Sequence, residues 1–148
     1  MSTPPRTVTA AVAQGCSGDR TAGLLMLQPL ISGSPREMVA TLSMLAEIAA
    51  MPYTDSHPDA DFFALAVTDV ETGAERSAED LPAHVQFAAQ FVAAHARGDH
   101  HASYTLFDAF AERCIREEND DLGAATAAMF DMAVVSTLQV ARHGRRPR

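Results

Sequence analysis

Apolar residues recur at helical spacing in three long stretches of the chain, and the first stretch predicts a helix over residues 35–50. Ser34, Pro35 and Glu37 form a capping box, in which side-chain oxygens satisfy free N–H groups of the first turn. Pro52 is expected to end this helix, because proline lacks the N–H that continues the hydrogen-bond ladder. The apolar positions spread over several faces, which indicates a helix covered on most sides: Met38, Val39, Leu42, Leu45, Ala46, Ala49 and Ala50.

The second stretch, residues 82–117, predicts two antiparallel helices joined by a tight turn. Pro82 suits the first turn of the first helix, and Gly98 suits the left-handed residue that follows its last turn. Asp99 can then cap the next helix immediately. Apolar stripes on both helices face one another in this αα-hairpin: Val85, Ala89, Val92 and Ala96 on the first, and Tyr104, Phe107, Ala111, Cys114 and Ile115 on the second.

The third stretch predicts a helix over residues 121–142, which the Asn119–Asp121 segment caps. Two of its faces carry apolar side chains, and both are rich in alanine and methionine. We expect these faces to meet the other helices or a second copy of the chain: Leu122, Ala125, Met129, Ala133 and Val140 on one, and Ala124, Ala128, Val135 and Leu138 on the other.

Two shorter segments do not decide between helix and strand. Residues 24–31 form an apolar run interrupted by Pro29, and periodicity alone does not distinguish the two structures there. Residues 62–70 alternate as a half-buried strand does, although a short helix also fits. The turn sequence Glu71–Gly73 favours a short strand or a β-hairpin near residues 62–77.

These elements predict a mainly α fold, a small orthogonal or antiparallel bundle of four or five helices. Residues 22–141 are expected to form one helical domain, which agrees with a length of 148 residues. Residues 1–21 are small, polar and interrupted by Pro and Gly, and we expect a flexible N-terminal segment. Residues 142–148 are expected to form a flexible basic tail, since the sequence there offers no apolar side chains for a core.

The composition disfavours several classes of function but does not identify one. A net charge of −8 opposes general binding to nucleic acids or anionic membranes, so nucleic acid is an unlikely partner except through the arginine tail. The sequence predicts no apolar run that approaches the ~20 residues needed to span a bilayer, so no membrane association is expected. Two cysteines without metal or redox spacing indicate reduced thiols and a cytoplasmic location.

All 11 basic residues are arginine, so the chain contains no lysine. Gly18 and Gly23 have the spacing of a phosphate-binding loop, but the lysine that would reach the phosphates is missing. Schiff-base chemistry is excluded for the same reason. Cys114 lies on an apolar stripe, which favours an inert buried thiol over a nucleophile. We therefore lean against an enzyme and expect no cofactor.

Histidines provide the main candidate for a metal or small-ligand site. His95 lies in the last turn of one hairpin helix, and Asp99 and His100 begin the next, so the three could converge across the turn. Helix capping and solvent contact are favoured over a metal, because Asp99 is an expected cap and His95 suits a helix C-terminus. A second group, His57, Asp59 and Asp61, is assigned to turn and cap roles.

The leading functional hypothesis is a non-enzymatic protein-interaction or regulatory module, self-associating as a homodimer or binding another protein through its Ala/Met-rich helix faces. The first alternative is a metal- or ligand-binding helical protein, possibly an enzyme, that uses the histidine group. The second is a nucleic-acid-linked regulator that acts through the arginine tail. The candidate interaction residues are Met38, Leu42, Leu45, Met129, Met132, Arg142, Arg145 and Arg146.

Overall fold

A computed structural model describes residues 4–56 and 81–144, and within these ranges the backbone forms six α-helices and no strand. The mainly α fold is therefore confirmed. The predicted strand or hairpin near residues 62–77 and the His57–Asp61 group lie outside the described residues. The helices are α1 (Pro4–Cys16), α2 (Arg20–Ile31), α3 (Pro35–Ser56), α4 (Ala83–Ala96), α5 (His100–Glu117) and α6 (Asp121–Gly144).

The N-terminal part of the chain is an ordered helical hairpin, so the prediction of a flexible segment over residues 1–21 is wrong from residue 4 onward. Val8 and Ala11 of α1 are fully buried. Asp19 caps α2 by accepting a hydrogen bond from the backbone N–H of Ala22, 3.0 Å away. The sequence of α1 is rich in small residues, and these become core residues only because α1 packs closely against α2 and α6.

Helix α3 begins as predicted but continues beyond its predicted end. The hydroxyl of Ser34 accepts a hydrogen bond from the backbone N–H of Glu37 at 3.2 Å, which confirms the N-terminal cap. The helix passes through Pro52 and ends at Ser56, so Pro52 does not terminate it. A proline removes one hydrogen bond and strains one turn, and packing of the preceding turns can outweigh that cost. Pro29 lies inside α2 in the same way.

The predicted hairpin of α4 and α5 is present, with the predicted turn chemistry. Gly98 has a φ of 73°, a conformation that glycine adopts without strain. The Asp99 carboxylate accepts a hydrogen bond from the backbone N–H of Ala102 at 3.0 Å. Between the two helices, the rings of Phe87 and Phe110 stack with centroids 4.3 Å apart. The sequence thus identified both the turn and the pairing of these helices.

Helix α6 is the central element, because α1, α3 and α4 all pack against it. Met129, Phe130 and Ala133 are fully buried there. The Ser136 hydroxyl donates a buried hydrogen bond to the carbonyl oxygen of Ala49 in α3, at 2.7 Å. The helix continues two residues beyond the predicted end at 142, so the first residues of the predicted tail are helical.

Within the described residues, one segment is long and apolar enough to cross a membrane by length and composition, namely Asp121–Arg142 of α6. The sequence expectation that no such segment exists is therefore corrected. The core helix of a water-soluble bundle meets the same criterion, and much of this helix is covered by its neighbours. The absence of membrane association stays a prediction.

Candidate interaction groove and histidine pair

An open groove of about 530 Å³ lies where the α2–α3 connection meets the C-terminal end of α5 and the first turn of α6. Its apolar walls come from all four of these helices. Its polar residues belong to the two helix junctions that border it. The lining consists of Ile31, Ser32, Gly33, Pro35, Met38, Phe107, Ala111, Cys114, Ile115, Glu118, Asn119, Asp120, Leu122 and Gly123.

The α5–α6 junction gives the groove an acidic border. Glu118, the residue that follows α5, has a left-handed φ of 51° and donates its backbone N–H to the carbonyl oxygens of Cys114 and Ile115. The side-chain oxygen of Asn119 then accepts a hydrogen bond from the backbone N–H of Asp121 at 3.1 Å. This sharp reversal brings Glu118 and Asp120 into the lining of the groove, together with the apolar residues.

Ile115 is the most exposed large apolar side chain of the described residues, at 79% of its accessible surface. The buried face of α5 follows Ser103, Phe107, Phe110 and Cys114 at helical spacing. Ile115 lies about 100° around the helix from Cys114, which turns it away from the core. The prediction that Ile115 belongs to the apolar stripe is therefore wrong, and a strict helical projection of the Phe107–Cys114 face indicates the exposed position.

The thiol in the groove wall has no sign of nucleophilic activation. Burial raises the pKa of Cys114, and the carboxylate of Asp121 raises it further, against a weaker opposing effect from the backbone N–H of Leu122. A raised pKa reduces the fraction of thiolate, the form that attacks electrophiles. Burial also raises the pKa of Cys16. The groove therefore offers apolar contact and peripheral charge, without an activated thiol.

The histidine pair lies at the other end of α5. His95 is only 9% exposed, and its ring lies 4.9 Å from that of Phe91 and 5.2 Å from that of His100, centroid to centroid. Neither ring nitrogen of His95 has a hydrogen-bond partner. Burial lowers the pKa of His95, and the nearby His100 lowers it further, while Glu47 acts in the opposite direction.

The structure brings the rings of His95 and His100 together, as the sequence suggested. The third predicted member, Asp99, uses its carboxylate to cap α5. Within residues 4–56 and 81–144, no group of three or more His, Cys, Asp or Glu side chains could hold a metal ion. A metal site usually takes three or four protein ligands. The metal-binding alternative therefore has no support from these residues.

Most of the predicted interaction residues lie inside the bundle. Leu42, Leu45 and Met129 have no exposed surface, and Met132 is also buried. Their side chains already contact the chain's own helices, so they are not available to a second copy, and the prediction that they form an interface is corrected. Met38 is partly exposed and lines the groove. Arg142 is exposed, and Arg145 and Arg146 lie outside the described residues.

Comparisons with family models, with curated proteins and with solved structures found no match for this chain.

Proposed function

We propose that the chain is a non-enzymatic protein-interaction module that self-associates through the groove. The observation that carries this proposal is the exposure of Ile115, at 79%, beside an apolar groove of about 530 Å³. A large aliphatic side chain next to other apolar groups gains free energy when a partner covers it. The border of carboxylates resembles the polar rim that surrounds the apolar centre of protein interfaces.

The chemistry of the groove favours a protein partner over a reacting substrate. Its walls are apolar, and its charged side chains, Glu118 and Asp120, lie at the border. Cys114 has a raised pKa. Met38 adds a flexible, polarisable side chain of the kind that adapts to partner surfaces. The two free thiols are compatible with the cytoplasmic location that we propose for the module.

Charge complementarity within the chain favours a second copy as the occupant. Residues 112–121 contain five acidic residues and two arginines, whereas residues 142–148 contain four arginines and no acid. Helix α6 begins beside the groove and ends at Gly144, so it separates these two regions. A molecule with one acidic and one basic region is complementary to a copy of itself.

Sedimentation velocity of the full chain over a range of concentrations tests this proposal. We expect a concentration-dependent dimer, and we expect Ile115→Glu to weaken it about 10- to 100-fold for each Ile115 side chain that the dimer covers. That range follows from the ~1.5–3 kcal/mol gained when an isoleucine side chain is buried. The matched control is Leu25→Glu, which changes an exposed aliphatic residue of α2 outside the groove, 61% exposed.

A strictly monomeric wild type at high micromolar concentration would overturn self-association. Equal weakening by Ile115→Glu and Leu25→Glu would show that the dimer does not use the groove. Circular dichroism of both variants confirms that the helical fold is retained, so that a change in sedimentation reports association. Loss of the dimer with Ile115→Glu alone supports the proposal.

A further inference from the structure

We infer that the segment entering the groove is the arginine tail, residues 142–148, of a second copy, and that the two copies are oriented so that their α6 helices run in opposite directions. This inference rests on the proposed self-association and specifies the contact. In such a pair, each tail reaches the partner's groove, so one two-fold axis creates two equivalent contacts. The pair is closed, because neither copy retains an unused tail or groove.

The tail of one chain does not reach its own groove. Helix α6 has 24 residues and begins beside the groove, where Leu122 and Gly123 form part of the lining. At 1.5 Å per residue it extends about 35 Å. Residues 145–148 can cover at most ~14 Å even when fully extended. The acidic border therefore meets arginines of residues 145–148 only from another molecule.

The two regions are chemically matched. Glu118 and Asp120 provide carboxylates at the groove, and a guanidinium can donate two parallel hydrogen bonds to one carboxylate. Arg142 is exposed on α6. Val140, one half-turn before it, is also exposed, at 40%. The end of α6 thus exposes one apolar side chain and one guanidinium, which lie about 200° apart around the helix.

Charge reversal provides a sharp test, because it predicts which molecules pair. The groove variant carries Glu118→Arg and Asp120→Arg, and the tail variant replaces all four tail arginines, as Arg142→Glu, Arg145→Glu, Arg146→Glu and Arg148→Glu. Each variant alone places like charges at both contacts, so we expect self-association to fall at least tenfold. An equal mixture places opposite charges at both contacts, so we expect a one-to-one heterodimer with close to wild-type affinity.

The control carries Arg6→Glu and Arg97→Glu, which reverse the charge of two exposed arginines away from the groove. This variant should dimerise as the wild type does. Sedimentation of the mixture, with one variant labelled by a fluorophore, distinguishes a heterodimer from unrelated species. Loss of self-association in both charge variants, together with recovery on mixing, supports the tail contact.

Other outcomes separate this inference from the proposed function. Weakening by Ile115→Glu without weakening by the tail variant would keep the groove as an interface and overturn the tail as its occupant. A monomeric wild type would overturn both. Normal dimerisation of the tail variant, combined with lost binding to a short DNA duplex at low salt, would overturn the inference and assign the tail to nucleic acid.

Discussion

Gly23 of α2 allows the N-terminal hairpin to approach the central helix, and its replacement by alanine tests that packing directly. A Cβ at position 23 would lie 2.6 Å from the carbonyl oxygen of Ala11 and 2.6 Å from Cζ of Phe130. The first atom belongs to the backbone of α1, and the second to a ring that is fully buried. Neither can move without displacing a helix or repacking the core.

The expected cost follows from two opposing effects. Overpacking of a dense core usually costs about 1–3 kcal/mol, and contact with a backbone atom places this site in the upper part of that range. Alanine in a helix is about 1 kcal/mol more favourable than glycine. We therefore expect Gly23→Ala to lower the free energy of unfolding by about 1–2 kcal/mol. For a chain of this length, that corresponds to about 3–8 °C in Tm.

Gly123→Ala is the matched control, because the same substitution there meets only the carboxylate of Asp120, with the nearest oxygen at 2.9 Å. An exposed carboxylate can rotate away, so the gain in helix propensity should dominate and give a stability equal to or slightly above that of the wild type. Urea unfolding followed by circular dichroism measures both variants. Unchanged or increased stability of Gly23→Ala would refute the close packing of α1, α2 and Phe130.

Two further predictions concern buried polar groups. The lowered pKa of His95 means that the unfolded chain binds its proton more readily, so stability should fall as pH drops through about 6.5 and continue to fall toward the lowered pKa. His95→Phe should reduce this pH dependence in urea unfolding, whereas His101→Gln, at an exposed position, should retain it. Ser136→Ala should cost about 1–2 kcal/mol in the same assay, because it removes a buried donor at 2.7 Å from a carbonyl of α3; no measurable cost would contradict that bond.

Local turn chemistry explains which parts of the fold could be predicted from the sequence. Ser34 and Asp99 cap their helices as expected, since a side-chain oxygen next to a helix start acts on its own neighbours. Gly98 has the positive φ that its position after α4 predicted. These features depend on a few adjacent residues, which the sequence displays directly.

Helix α1 could not be predicted from the sequence, because it depends on contacts with distant parts of the chain and not on its own neighbours. Its segment lacks large apolar side chains other than Val8 and Val12, and short helices of this kind are marginal on their own. Close approach to α6 stabilises it, and that approach depends on small residues such as Gly15, where a Cβ would lie 2.6 Å from Val134. Tertiary packing of this type has no local signature.

Tertiary packing also explains why most of the predicted interaction residues are buried inside the bundle. The spacing of Leu42 and Met129 correctly indicates apolar residues that another element covers, but it does not distinguish a second copy from the chain's own helices. In the structure, α1 and α2 pack against α3 and α6 and contribute to the same core.

The proposed self-association depends on a smaller and more testable set of contacts than the Ala/Met-rich helix faces would provide. Ile115 would contribute through apolar burial, which salt does not weaken. The arginine tail would contribute through partly exposed charges, whose range falls from about 10 Å at 0.1 M salt to about 3 Å at 1 M. If both contacts operate, added salt weakens the wild-type dimer, while the effect of Ile115→Ser, which removes the aliphatic contact without adding a charge, persists at high salt. The two contributions can thus be separated by varying the salt concentration, because salt weakens the contact between charges and leaves the apolar contact intact.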